Sequence, residues 1–525
     1  MASSASNLKS PCPRQLNGLI RRAEHAHELL ALHRQHGHAF NSVNLATCWS
    51  KLGRVSAAER VWLQSDCGAR LLALREQTSR QARPLDARCV STTVHALAKL
   101  AIPAAWEHLW KELERAALAR VSEFDPQGHT AWAFATAGHA APSLFDAMAA
   151  EAARRVRDFN AQNLANTAWA FATAGMTSPA LFDAIAVEAA RRVGDFSPQN
   201  LANTAWAFAT AGIAAPPLFD AIAAEAARRV RDFNPQGLAN TAWAFATAGH
   251  TAPALFDAMA AEAARRVRDF KPQGLAITAW AFATAGIAAP ALFDAIATEA
   301  ARRVRDFNPQ DLANTAWAFA TAGRPAPSLF DAIAAEAARR VGDFSPQNLA
   351  NTAWAFATAG IAAPSLFDAI AAEAARRVRD CNPQGLAITA WAFATAGHTA
   401  QALFDAIAAE ATRRVGEFNP QDLANTAWAF AAADCLPIES SLFDQRFARR
   451  CEALAHEFNS EELCQLHQWH LWYAGERGCS DALPGEVLLA RCAAAFRATE
   501  VTISRLQQQV AKRSHCLGCR FRRRL

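Results

Sequence analysis

The chain has 525 residues, 52% of them apolar and only 19% charged, a balance that excludes a disordered polymer and supports a sizeable core. The net charge of +5 comes from 53 basic and 48 acidic residues. The tail residues Arg505, Lys512, Arg513, Arg520, Arg522, Arg523 and Arg524, with no acid among them, outweigh that whole excess, so the body is close to neutral and overall charge does not announce nucleic-acid binding.

Residues 1–39 read as a basic segment followed by a first helix. Positions 1–23 lack acids and carry Lys9, Arg14, Arg21 and Arg22 among several Ser, the composition of an organelle transit peptide and equally of a frayed basic terminus. Residues 40–123 hold worn helical repeats: Phe40–Trp49 restates the start of a motif that becomes regular further on, and Ala87–Leu100 does so faintly.

Residues 124–435 contain nine near-identical repeats that recur every 37 residues. They are marked by Trp132, Trp169, Trp206, Trp243, Trp280, Trp317, Trp354, Trp391 and Trp428. Residues 196–232 and 344–380 are almost the same sequence, the trace of block duplication, so sameness among units says little about function. Within 307–343, Asn308 is placed as an N-cap, Pro309 at the first helical position and Gly323 past the last turn. Helix A is predicted over Pro309–Ala322. A Pro-bearing turn then opens helix B, whose Leu329, Phe330, Ile333, Ala337 and Val341 form an apolar stripe. Glu336 and Arg340 have the spacing of a helix-surface ion pair.

One such hairpin cannot bury its own Trp, Phe and Leu, whereas stacked neighbours can. The expected fold is therefore all-α, a right-handed-type α-solenoid of tandem helix–turn–helix repeats. Residues 436–480 read as a degenerate capping repeat, and 481–525 as a helical segment with a basic tail. No membrane span is expected, since the uncharged run Phe233–Phe256 is broken by Pro235, Gly249 and Pro253. Twelve Cys in a large chain of this kind suggest a reducing compartment rather than a disulfide framework.

The stretch Phe307–Ala320, reading Phe-Asn-Pro-Gln-Asp-Leu-Ala-Asn-Thr-Ala-Trp-Ala-Phe-Ala, resembles the octotricopeptide repeat, with related arrays in FAST-kinase-like and RAP-domain proteins. The resemblance spans most of Phe40–Tyr473. It implies sequence-selective binding of single-stranded RNA in a mitochondrion or chloroplast, in transcript processing, stability or translation, with other RNA-processing or ribosomal proteins as further partners. Family arrays continue through a Ser-Arg-Leu-Gln segment, matched by Ser504–Gln507, into a RAP domain; the 18 residues after Gln507 are too few for it, and a nuclease reading loses its residues.

Asn166, Asn203, Asn240, Asn314, Asn351 and Asn425 lie off the apolar stripe, as residues that read bases in one-base-per-repeat arrays would. Three positions earlier the residue varies through Asn163, Asn200, Asp311, Asn348 and Asp422, with Gly128, Gly237, Gly274 and Gly385 elsewhere, as a reading code requires. Ile277 and Ile388 replace Asn in two units, which should read differently or not at all. The alternative is local: Asn bonds a neighbouring backbone and the variable position is a tolerant helix start. The Trp series suits base stacking, but its place beside Ala and Phe favours core packing.

Arg302, Arg303 and Arg305 typify a basic cluster at the end of helix B, suited to phosphates or to offsetting the helix dipole. Cys516 and Cys519 form a lone Cys-x-x-Cys without the second pair a structural zinc needs. No catalytic grouping is recognisable, so neither enzyme activity nor a cofactor or metal is expected. A protein-binding scaffold is the competing class, favoured by the near-neutral body.

Overall fold

The computed structural model describes residues 11–65, 69–101, 106–124, 129–436, 441–476 and 483–499. They divide into two compact units, Met1–Leu255 and Phe256–Leu525. The described residues are helical and contain no strand, and each unit is an α-solenoid of stacked helical hairpins.

Local chemistry sets each hairpin. In 307–343, Asn308 adopts an extended backbone and its side chain accepts the Asp311 N–H at 2.8 Å. Pro309 starts the A helix, Pro309–Thr321, one residue shorter than the sequence suggests. Gly323 then takes φ +62°, and the Arg324 N–H reaches back to the Phe319 carbonyl at 3.0 Å. Gly tolerates this left-handed turn without a Cβ clash, which stops the helix at that residue. The B helix Pro327–Arg339 follows and ends in a single 3-10 turn, Val341–Asp343, which leads through extended Phe344 into the next A helix.

In the first unit the A helices Ala161–Thr173, Pro198–Ala211 and Pro235–Thr247 pack side by side, with Pro179–Arg191 and Pro216–Arg228 as the second layer. Upstream, Ser42–Leu52, capped by Asn41, packs on Ala87–Lys99, capped by Asp86. The helix Pro13–Arg22 docks on Ser42–Leu52 with Leu16 and Ile20 fully buried, and the Asn44 side chain donates to the Pro13 carbonyl at 2.9 Å. Part of the segment with transit-peptide composition is thus integral to the core; residues 1–10 lie outside the described residues.

In the second unit the A layer runs through Pro272–Thr284, Pro309–Thr321, Pro346–Ala359, Pro383–Ala396, Pro420–Ala433 and Ser460–His470. The last of these continues into a π-helical turn, Leu471–Glu476, and Trp469 and Trp472 are buried there. Glu486–Thr499 packs against Ser460–His470. The Ser504–Gln507 segment and Cys516 and Cys519 lie outside the described residues.

Small side chains make the A layer dense. Ala313, Ala316 and Ala318 have no exposed surface, which lets neighbouring A helices approach closely. The B layer is pinned to it by aromatic edges: Phe293 meets Phe319 of the next repeat at 5.0 Å and 80°, and Phe330 meets Phe356 at 4.9 Å and 74°. Each such buried Phe contributes roughly 1.5–3 kcal/mol, part of it through the ring of the neighbouring repeat.

Candidate nucleic-acid interface

The A helices are not buried all round. Spacings of four, three and four residues keep Gln310, Asn314, Trp317 and Thr321 on one accessible stripe. Gln310 and Thr321 are exposed, while Asn314 and Trp317 are half-buried. The same holds for Gln162, Asn166, Trp169 and Thr173, and for Gln199, Asn203, Trp206 and Thr210 in the first unit. Asn240, Asn351 and Asn425 are likewise half-buried, as are Ile277 and Ile388 in their places.

Neighbouring helices bring these stripes into register. Trp280 and Trp317 lie 6.1 Å apart at 29°, and Trp317 and Trp354 lie 6.2 Å apart at 28°; Trp391 and Trp428 are 6.2 Å apart. In the first unit Trp169 and Trp206 are 6.0 Å apart, and Trp206 and Trp243 are 6.3 Å apart. The indoles were expected as core; they instead form near-parallel rows at the edge of solvent, next to a row of Asn amides. At the end of the second unit Gln465 and Gln468 occupy the Asn and Trp places. Gln465 donates to the Asn425 side-chain oxygen at 3.0 Å, and the Trp428 indole N–H donates to Gln468 at 2.6 Å. Asn425 is thereby occupied, whereas Asn314 and Asn351 make no side-chain hydrogen bond among the described residues.

The variable position has a different setting. Asn163, Asp311 and Asp422 are buried at the start of the A helix, their own N–H groups capped by Asn160, Asn308 and Asn419. Burial pushes the carboxyls of Asp311 and Asp422 above the ordinary aspartate range, partly offset by hydrogen bonds that the backbone N–H groups of Asn308 and Asn419 donate to them. A Cβ at Gly237 or Gly274 would sit 3.3 or 3.2 Å from the Phe ring that opens the same repeat, so this site packs against its own repeat start. Asn200 and Asn348 are only half-buried, whereas Gly128 lies outside the described residues.

The basic cluster separates into three kinds of arginine. Arg302 is exposed and pairs with Glu299 through two bonds, at 2.6 and 3.0 Å. Arg303 donates to the Phe270 carbonyl of the preceding repeat at 2.8 Å and also meets Glu299 and Asp306 at 3.4 Å. It is a strut between repeats. Hydrogen bonds from Arg302 hold the Glu299 carboxylate below its usual range, against a burial effect that raises it. Arg305 is exposed and makes no hydrogen bond or ion pair among the described residues. Glu336 repeats the pattern, meeting Arg339 at 2.6 Å and Arg340 at 3.4 Å, so the expected surface pair is the looser half of a buried fork.

The accessible stripe carries amides, indoles and hydroxyls but no charge, a surface able to stack on flat rings and to exchange hydrogen bonds with their edges. The sequence model of the family described as RNA-editing substrate-binding complex 6 protein matches residues 127–261 and 247–466, well over half of the chain. The chain belongs to this family. It is therefore an RNA-associated helical repeat protein. No curated protein matches the sequence closely enough to count as a relative. Among solved structures, a chain of "Homology model of the full-length AP-3 complex in an intermediate open conformation" is similar at 9% identity and a TM-score of 0.23, covering 96% of this chain and 93% of that one, a likeness too low to argue from.

The exposed Gln of the Pro-Gln pair, represented by Gln310, was missed by sequence reasoning. Its signal is present, because Gln310, Asn314 and Trp317 share one helix face. Among the described residues no helix is long and apolar enough to cross a membrane, and no group of three or more His, Cys, Asp or Glu is placed to hold a metal.

Proposed function

We propose that the array binds single-stranded RNA with sequence selectivity along the Gln–Asn–Trp stripe of its A helices, as a non-catalytic component of an RNA-editing or RNA-processing assembly in a mitochondrion. The carrying observation is the uncharged, half-exposed row of Asn amides beside near-parallel indoles, in a family described by RNA-editing substrate binding. Base stacking on aromatic rings contributes ~1–3 kcal/mol per base in single-strand binders. Amides that present both a donor and an acceptor suit the Watson–Crick edges of splayed bases.

In the finer, octotricopeptide-type form of this reading, one repeat meets one base and the footprint is about nine to twelve nucleotides. Asn166, Asn203, Asn240, Asn314 and Asn351 are the readers, with Asn200 and Asn348 accessible beside two of them. Buried Asn163, Asp311 and Asp422 act by setting the helix start rather than by touching a base. Bound RNA would be shielded from exonucleases or presented to partner proteins.

The test is selection from a random RNA pool by the purified chain at two salt concentrations, with sequencing of what is retained. A motif of about ten nucleotides that survives the higher salt supports the reading. Retention without sequence preference that disappears with salt reduces it to counterion release and leaves a protein-binding scaffold as the better account.

A further inference from the structure

The fold explains two of the three arginine kinds found at the ends of the B helices and leaves the third unexplained. Arg157, Arg231, Arg268, Arg305 and Arg379 are exposed and, among the described residues, form no hydrogen bond or ion pair. The adjacent acid does not engage them, because Asp306 is taken by Arg303 at 3.4 Å and Asp269 by Arg266 at 3.3 Å. In other repeats the same position is Gly194, Gly342 or Gly416. A Cβ at any of these three would meet nothing within 4 Å, and none has a left-handed backbone. Packing therefore asks for neither Arg nor Gly here.

A second observation lies at the same place in the repeat. The N-cap of the A helix is Asn or Ser in its neighbours, but Lys271 caps Pro272–Thr284 with no side-chain hydrogen bond. Losing such a cap costs ~1 kcal/mol. The substitution also sets an exposed cation at the positive end of a helix dipole, which is unfavourable. Stability opposes this lysine, so another role accounts for it better.

All these cations sit in or just after the 3-10 turn that feeds an A helix, at the end where the exposed Gln begins the uncharged stripe. We infer that Arg157, Arg231, Arg268, Arg305, Arg379 and Lys271 form, within each unit, a rim that holds the phosphates of the bound RNA, and that Gly194, Gly342 and Gly416 mark repeats without a clamp. This rests on the RNA-binding reading above and divides its labour: the stripe reads bases, and the rim positions the backbone without reading sequence.

The experiment measures RNA affinity of the full chain from about 50 to about 200 mM salt, where each single-strand phosphate contact adds ~0.7 to the slope of log affinity against log salt. Replacing the five arginines by Ala should flatten the slope by ~3.5, so that affinity falls about 100-fold less across that range. Replacing Gly194, Gly342 and Gly416 by Arg should steepen it by ~2. The same three charges placed on the exposed B-helix positions Val187, Ala335 and Ala372 should leave it unchanged, and the selected motif should be the same throughout. A motif retained with unaltered slopes overturns the rim and spares the reading face. Equal steepening by the B-helix arginines also overturns it, as bulk charge. An unsubstituted chain that binds no RNA overturns both.

Discussion

Arg303 donates from Nη1 to the carbonyl of Phe270, 33 positions earlier, at 2.8 Å. That carbonyl belongs to an extended residue just ahead of an A helix. The bond recurs at Arg340–Phe307 and Arg377–Phe344 in the second unit, and at Arg192–Phe159 and Arg229–Phe196 in the first. One guanidinium thus satisfies a backbone acceptor of the preceding repeat while holding the buried Glu of its own.

Arg303→Ala should destabilise the second unit by about 2–3 kcal/mol, since it removes a charge-assisted bond and leaves Glu299 less compensated. Arg303→Lys should recover only part, because an ammonium cannot span the fork geometry. Urea unfolding followed by circular dichroism measures both. A loss below about 0.5 kcal/mol for the Ala variant would mean the strut is dispensable.

Asn314→Ala should alter the selected RNA motif at one position and weaken binding of the original motif about 2- to 12-fold, the net worth of one hydrogen bond. Ile277→Asn should add a preference at a position where the unsubstituted chain shows little. Pool selection on the two variants checks this; loss of binding at every position alike would indicate damage to the fold instead.

Lys271→Asn should raise stability by ~1 kcal/mol by restoring a cap to the helix Pro272–Thr284. Differential scanning calorimetry reads the shift. An unchanged transition would show that this repeat is not where unfolding begins.

Stability should fall as pH is lowered from about 6 to about 3. Glu188, Glu262, Glu299, Glu336 and Glu410 are held below their ordinary range by Arg hydrogen bonds, so their contribution is present above the unfolded-state pKa and is lost as pH falls through the folded value. Asp311 and Asp422 act oppositely: raised by burial, they favour the fold when protonated and disfavour it as pH rises through their folded values. Asp311→Asn should therefore stabilise at neutral pH and remove that opposing contribution. Urea midpoints across the pH range measure both effects, and a flat profile would contradict the glutamate forks.

Much of the hairpin was legible because its signals are local. Asn308, Pro309 and Gly323 act within one turn of themselves, so cap, first position and stop could be placed without knowing the neighbours. Trp317 was misjudged for the opposite reason. Its burial depends on the adjacent A helices, which cover Ala313, Ala316 and Phe319 more completely than the indole. Asp311 looked like a free reading position because helical spacing puts it near Asn314, yet it is buried where its helix begins.

The sequence alone therefore determined the repeat length, the two helices of each repeat and the all-α class, since periodicity and capping are properties of a short stretch of chain. Only the tertiary structure decided which arginines are struts and which are free. Arg302, Arg303 and Arg305 are the same residue type within four positions, and what distinguishes them is a carbonyl one repeat away and a glutamate buried by the stacking of helices.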